Sequence, residues 1–142
     1  SPYKTNFGAF IKPGGKDDAR AGYYIHIEPD RSMLGGGIYM PPSNVLNKIR
    51  SSIVHDSKPL RKLLSGKEFK LNFGEMYDND KLKTAPRGIS KDHPDIDLLL
   101  FKNYTVVKKF NNKGVESKNF SLNCVEIFKL MKPFNQYLNS II

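Results

Sequence analysis

Apolar and polar positions alternate along residues 22–28 (GYYIHIE). Tyr23, Ile25 and Ile27 fall on one side and Tyr24, His26 and Glu28 on the other, the period-two signature of a half-buried strand. Residues 5–12 (TNFGAFIK) and 33–40 (MLGGGIYM) read as strands on either side of it, joined by the Gly/Pro-rich loop Pro13–Asp18 and a turn at Pro29–Ser32. These three segments predict an antiparallel meander. Pro41-Pro42 ends it, and Ser43 is a suitable N-cap. Val45, Leu46, Ile49, Ile53 and Val54 then recur at helical spacing, predicting an amphipathic helix over 44–55. A second short helix is expected between Ser57 and Gly66, with Pro59 in its first turn. Residues 67–92 show no clear period and read mostly as loop. A short helix follows from His93-Pro94 through Leu100, then a late strand at 103–110 and a turn at 111–114. From Ser121 the pattern is helical again, and Pro133 is expected to break or kink it before a last helix. The order implies an α+β fold: a mostly antiparallel sheet, made of the N-terminal three-stranded meander plus the late strand, with helices packed on one face.

The length, 142 residues, fits one domain spanning 1–142. At 39% hydrophobic and 26% charged, with 7 Tyr and 9 Phe, the chain lies outside the composition of disordered segments. Its longest apolar runs are too short to span a bilayer, so no membrane partner is expected. The single cysteine excludes a disulfide framework and a four-cysteine zinc site. With no leader pattern at the start, the expected compartment is the cytoplasm. A net charge of +9 is compatible with a phosphate-bearing partner. The excess is mostly Lys, 18 against 5 Arg, and it is scattered, which argues against the clustered arginines of base-specific recognition.

Candidate chemistry concentrates at the second and third strands. A four-residue turn at 29–32 would set His26 opposite Gly35 and Tyr24 opposite Gly37, and a slip by one would set His26 opposite Gly36. Glycines inside a strand mark close approach by something else. One reading is a groove floored by Gly35–Gly37 and walled by Tyr24, His26 and Glu28; the other is a helix packed into the hollow, with His26 a satisfied core residue. Lys81, Lys83 and Arg87 lie on one loop, where cations near backbone N–H groups can hold an anion, or can simply be solvated. The acidic run Asp92, Asp95 and Asp97 lacks the glycine of a calcium loop and reads as first-turn helix acids. No metal site and no cofactor is expected. Cys124 falls on an apolar helical face and reads as a buried, unreactive thiol. Phosphate-loop, dinucleotide, nucleophile-elbow and zinc-protease motifs are all missing, so the sequence does not decide whether the protein is an enzyme.

Several strings occur in a characteristic order: Pro2-Tyr3-Lys4-Thr5-Asn6-Phe7, Ala21–Pro29, Gly36–Pro41, Leu82–Gly88, and Asp97-Leu98-Leu99-Leu100 followed by Lys102. So spaced, they resemble the conserved bacterial and fungal family known as domain of unknown function 2461, across essentially the whole chain. The resemblance implies no established activity. It also implies that the chain corresponds to the C-terminal two-thirds of a member, without an N-terminal helical region. Of the family signature ending in a lysine and a tyrosine, only Tyr3 and Lys4 are present here. An exposed apolar patch near the first strand is the corresponding expectation.

Together these features favour a domain that binds a small anionic, phosphate- or carboxylate-bearing ligand in a groove beside the Gly-rich strand. The candidate ligand-binding residues are Lys4, Tyr24, His26, Lys83 and Arg87, and any acid–base chemistry falls to His26 with Glu28. The alternatives are an electrostatic nucleic-acid binder using dispersed lysines and aromatics such as Tyr3, Tyr39 and Tyr77, or a non-catalytic interaction domain whose Gly-rich face docks a protein. Oligomeric state is not legible in the sequence.

Overall fold

A computed structural model describes residues 6–15 and 17–142. In chain order the elements are β1 (Phe7–Ile11), β2 (Gly22–Ile27), β3 (Ser32–Ile38), α1 (Ser43–His55), α2 (Lys58–Ser65), α3 (Lys67–Phe73), α4 (Ile96–Leu99), β4 (Tyr104–Phe110), α5 (Asn112–Glu116) and α6 (Phe120–Ile141). The four strands form one antiparallel sheet in the order β1-β2-β3-β4. The connection from β3 to β4 carries α1 to α4. The architecture is α+β.

Alternation along the strands sorts the sheet into two faces. One carries Leu34, Ile38, Tyr104 and Val106, all buried, against a helical layer contributing Ile49, Ile53, Leu60, Met131, Phe134 and Leu138. Helix α6 supplies the main stripe: Cys124, Ile127, Met131, Phe134 and Leu138 recur every three or four residues and are buried, which is the spacing of one helix face. Contrary to expectation, α6 runs unbroken for 22 residues with Pro133 inside it. Proline removes one backbone hydrogen bond. Here Pro133 sits on the exposed side, while Met131 and Phe134 stay buried on either side of it. Two amides of α6 fix the start of β2: Asn135 Nδ2 donates to the Gly22 carbonyl at 3.0 Å, and Asn139 Oδ1 accepts from the Ala21 N–H at 2.7 Å.

The expected loop after Gly66 instead begins with α3, which buries Phe69 and packs it edge-on against Phe73 at 4.8 Å. The expected turn at 111–114 is the start of the short helix α5, capped by the Asn111 side chain, which accepts from the Gly114 N–H at 2.7 Å. Arg50 of α1 is buried and donates to the Phe101 carbonyl at 2.8 Å, and Tyr104 Oη donates to the Leu98 carbonyl at 2.8 Å. These bonds satisfy carbonyls left free where α4 ends. On β1, Phe7 and Ile11 point to the helix side but remain 58% and 54% exposed. Among the described residues, β1 pairs only with β2. No described helix is long and apolar enough to cross a membrane.

Candidate functional site

The site lies on the sheet face that the helices leave open. Tyr24, His26 and Glu28 point that way, while Tyr23 turns to the helices and meets Phe128 edge-on at 5.1 Å. The register differs from both expected alternatives: Tyr24 pairs with Gly35, Gly22 with Gly37, and His26 with Met33. The cause is Ser32. Its hydroxyl accepts from the Glu28 N–H and donates to the Glu28 carbonyl, both at 3.0 Å. That closes the turn over residues 28–31, and Asp30 takes the left-handed conformation at φ 68°. Relative to the pairing of His26 with Gly35 the shift is two positions, so the faces of that alternative are preserved.

The consecutive glycines of β3 have three different reasons to be glycine. A Cβ on Gly36 would stand 2.7 Å from Met131 Sδ, so that glycine admits α6 against the sheet. Gly37 has φ +109°, and a Cβ there would run into the Tyr104 carbonyl oxygen, so its backbone excludes other residues. At Gly35 a Cβ would meet only ordinary neighbours, Tyr24 Cβ at 3.6 Å and the Val106 carbonyl at 3.7 Å. Neither packing nor backbone conformation requires glycine there. The helix-in-the-hollow reading thus holds at Gly36 and the open-groove reading at Gly35, on opposite faces.

Above Gly35 and Gly37 lies a cavity of about 340 Å³, at the small end of the roughly 300–1,000 Å³ usual for ligand pockets. Its walls are Phe10, Tyr24, Tyr39 and Tyr77, with Met33 and Lys12 at the margins. Each aromatic wall is held from behind. Phe10 packs on Tyr24 with ring centroids 4.7 Å apart. Tyr24 Oη lies 3.2 Å from His26 Nδ1, whose ring presents Nε2 to Glu28 Oε2 at 3.5 Å. Gly8 on β1 leaves room for this chain, since a Cβ there would stand 3.3 Å from Tyr24 Oη. Tyr39 lies two residues after Gly37 and precedes Met40, a non-glycine residue at φ 50° whose N–H is fixed by buried Asn103 Oδ1 at 2.6 Å. Left-handed backbone at such a residue is strained and persists only when surroundings impose it. Tyr77 is pinned by its own N–H, which donates to the Thr105 carbonyl at 2.8 Å. The Lys12 ammonium lies 5.7 Å from the Phe10 ring centroid and donates to the Asp18 carbonyl at 3.4 Å.

Of the residues expected to bind a ligand, Tyr24 lines this cavity. His26 and Glu28 share its face but stand behind Tyr24 and do not line it. With Nδ1 accepting and Nε2–H donating, or with both nitrogens protonated, His26 can satisfy Tyr24 and Glu28 together. Lys83 and Arg87 are exposed and do not line the cavity, and among the described residues they make no hydrogen bond or ion pair. Their loop is anchored elsewhere: the Leu82 N–H donates to the Leu100 carbonyl at 2.8 Å, Pro86 is buried, and Lys81 lies over the Phe101 ring at 4.8 Å. Lys4 and Tyr3 lie outside the described residues.

Asp95 and Asp97 are both bound by Arg61, at 3.1 and 2.7 Å, which lowers the Asp97 pKa through the guanidinium hydrogen bonds. That pairing ties α2 to α4 and leaves these carboxylates engaged. Cys124 is buried, and desolvation raises its pKa, the behaviour of an unreactive thiol. Sequence reasoning missed Phe10, Lys12 and Met33 as site residues and took Tyr39 and Tyr77 only as exposed aromatics. The available signal was the even spacing of Gly8 and Phe10 on β1 and of Lys12 just past its end.

No curated protein and no solved structure matches the chain. A family model described as a conserved hypothetical protein, DUF2461, matches residues 1–137, and the chain belongs to that family.

Proposed function

We propose that this protein binds a small anionic ligand in the cavity on the open sheet face. The observation that carries the reading is Gly35, a glycine in the middle of a strand that neither the fold nor its backbone demands, whose missing side chain keeps the floor clear. Lys12 at the rim supplies a positive charge for a phosphate or carboxylate. The net charge of +9 favours the approach of such a molecule. His26 serves here as a positioning residue for Tyr24, with Glu28 behind it.

The test is a thermal-shift titration with inorganic phosphate and with acetate, on the wild type and on Gly35→Leu. Saturable stabilisation by either anion, lost in Gly35→Leu while the unliganded melting temperature is kept, is the expected result. Stabilisation that persists in Gly35→Leu overturns the placement.

A second reading, a single-stranded nucleic-acid platform, is favoured by the aromatic side chains exposed on an open antiparallel face. Its signature is affinity for oligonucleotides that falls steeply with salt, with a log–log slope of about −0.7 per phosphate neutralised. Binding that is flat with salt sinks it.

A further inference from the structure

Four aromatic side chains around a floor without side chains are more than an anion requires. We infer that the ligand is a planar aromatic ring compound carrying one anionic group, the ring stacking against the tyrosine walls and the anion meeting Lys12; this inference rests on the reading of the cavity as an anion site.

Three observations point to a ring. The walls are mainly aromatic: Phe10, Tyr24, Tyr39 and Tyr77 line the space beside Met33, Thr105 and Val107, whereas a pocket for alkyl chains needs only aliphatic residues. Aromatic pairs in offset-stacked or edge-to-face arrangements gain stabilisation beyond that of the area they bury. Phe10 and Tyr39 keep 58% and 53% of their surface exposed, and Tyr77 keeps 36%, so the aromatic area available to a ligand is large. Finally, each tyrosine is orientated by a separate device: Tyr24 by His26, Tyr39 by the Asn103-fixed left-handed turn at Met40, and Tyr77 by the bond from its backbone to Thr105. Walls held in place before the ligand arrives reduce the entropy lost on binding, and this arrangement suits a flat, rigid guest. The cavity volume, about 340 Å³, admits one ring system with a small charged substituent and leaves no space for a long chain.

Calorimetric titrations with phenyl phosphate, propyl phosphate and phenol separate the contributions. Phenyl phosphate is expected to bind at least tenfold more tightly than propyl phosphate. Tyr39→Ala and Tyr77→Ala, both at exposed positions, should bring that ratio towards one by weakening phenyl phosphate far more than propyl phosphate. Lys12→Ala should weaken both phosphates alike. Equal affinities for the two phosphates, both sensitive to Lys12→Ala, overturn the ring inference and leave the anion site standing. Phenol binding as tightly as phenyl phosphate, with no effect of Lys12→Ala, overturns the anion site and the inference with it. Absence of binding by either phosphate at millimolar concentration also overturns both. A thymidine decanucleotide that binds far more tightly than phenyl phosphate, with steep salt dependence, replaces both with the nucleic-acid reading.

Discussion

On the helix side of the sheet, Leu34, Tyr104 and Val106 are fully excluded from water, while on the other side Phe10 and Tyr39 keep more than half their surface in contact with it. The open face also carries the polar side chains of His26, Glu28 and Thr105, so its exposed aromatics stand among polar neighbours. The difference is in what the side chains meet. The covered face is filled by α6, where Met131 fits against the absent side chain of Gly36. The open face has aromatic walls, a cleared floor at Gly35 and, among the described residues, no helix or strand laid over it. A protein that only needed a stable sheet would gain by placing a β-branched residue at Gly35, where the Cβ has room. The proposed ligand supplies a reason for this glycine that folding does not.

Substitutions along β3 set the two faces directly against each other. Gly37→Ala should have the largest effect, a loss of about 3 kcal/mol, because it combines a left-handed backbone with a collision against the Tyr104 carbonyl. A urea unfolding midpoint measures it. Gly36→Ala should cost about 1–2 kcal/mol by overpacking Met131, without touching ligand binding. Gly35→Ala should change stability by less than about 0.5 kcal/mol, and a stability loss comparable to that of Gly36→Ala would erase the distinction between the faces.

The same contrast shows how far the sequence could be read. The period-two alternation of Tyr23 to Glu28 identifies the two faces correctly, because it depends only on strand geometry. It cannot identify the neighbours across the strands, because register depended on the Ser32 hydroxyl closing the turn at Glu28. The separate roles of Gly35, Gly36 and Gly37 emerge only once the register and the position of α6 are known. Lys83 and Arg87 attracted attention as a cationic cluster, but loop placement is decided by buried Pro86 and the Leu82 backbone bond, which charge patterning does not reveal. Helix α3 escaped notice because its Phe69–Phe73 spacing spans only a few residues between two glycines. Pro133 misled for the opposite reason: a buried stripe on the far side of α6 outweighs one lost backbone bond.

Smaller effects sharpen the picture of the open face. His26→Ala should leave the fold intact, since His26 is only partly buried and, among the described residues, its side chain bonds to Tyr24 and Glu28. It should release Tyr24 and lower the preference for phenyl phosphate over propyl phosphate without abolishing anion binding. Unfolding of this variant would return His26 to a purely structural role. The smallest effect concerns the loop between β1 and β2. The Arg20 side chain, through its hydrogen bonds, holds the Asp18 carboxyl at about 2, down from 3.8. A depressed carboxyl pKa stabilises the folded form fully above the unfolded value, and that contribution is lost as pH falls. Acid titration should therefore loosen this loop between about pH 4 and pH 2, a change absent in Asp18→Asn and readable as a chemical-shift transition at Arg20.

Strand β1 brings Phe10 to the cavity wall and leads directly to Lys12 at its rim, yet among the described residues it pairs only with β2, and its helix-side residues Phe7 and Ile11 stay largely in water. Such an edge opens at a lower free energy than strands buried between neighbours. Two residues of the cavity lining, Phe10 and Lys12, thus ride on this edge strand or just past its end. Ligand occupancy and closure of that edge become thermodynamically linked, because a guest held by Phe10 and Lys12 binds only the docked strand. The amides of β1 would then exchange with solvent more slowly in proportion to occupancy, while those of β3 and β4, already locked beneath α6, would not respond.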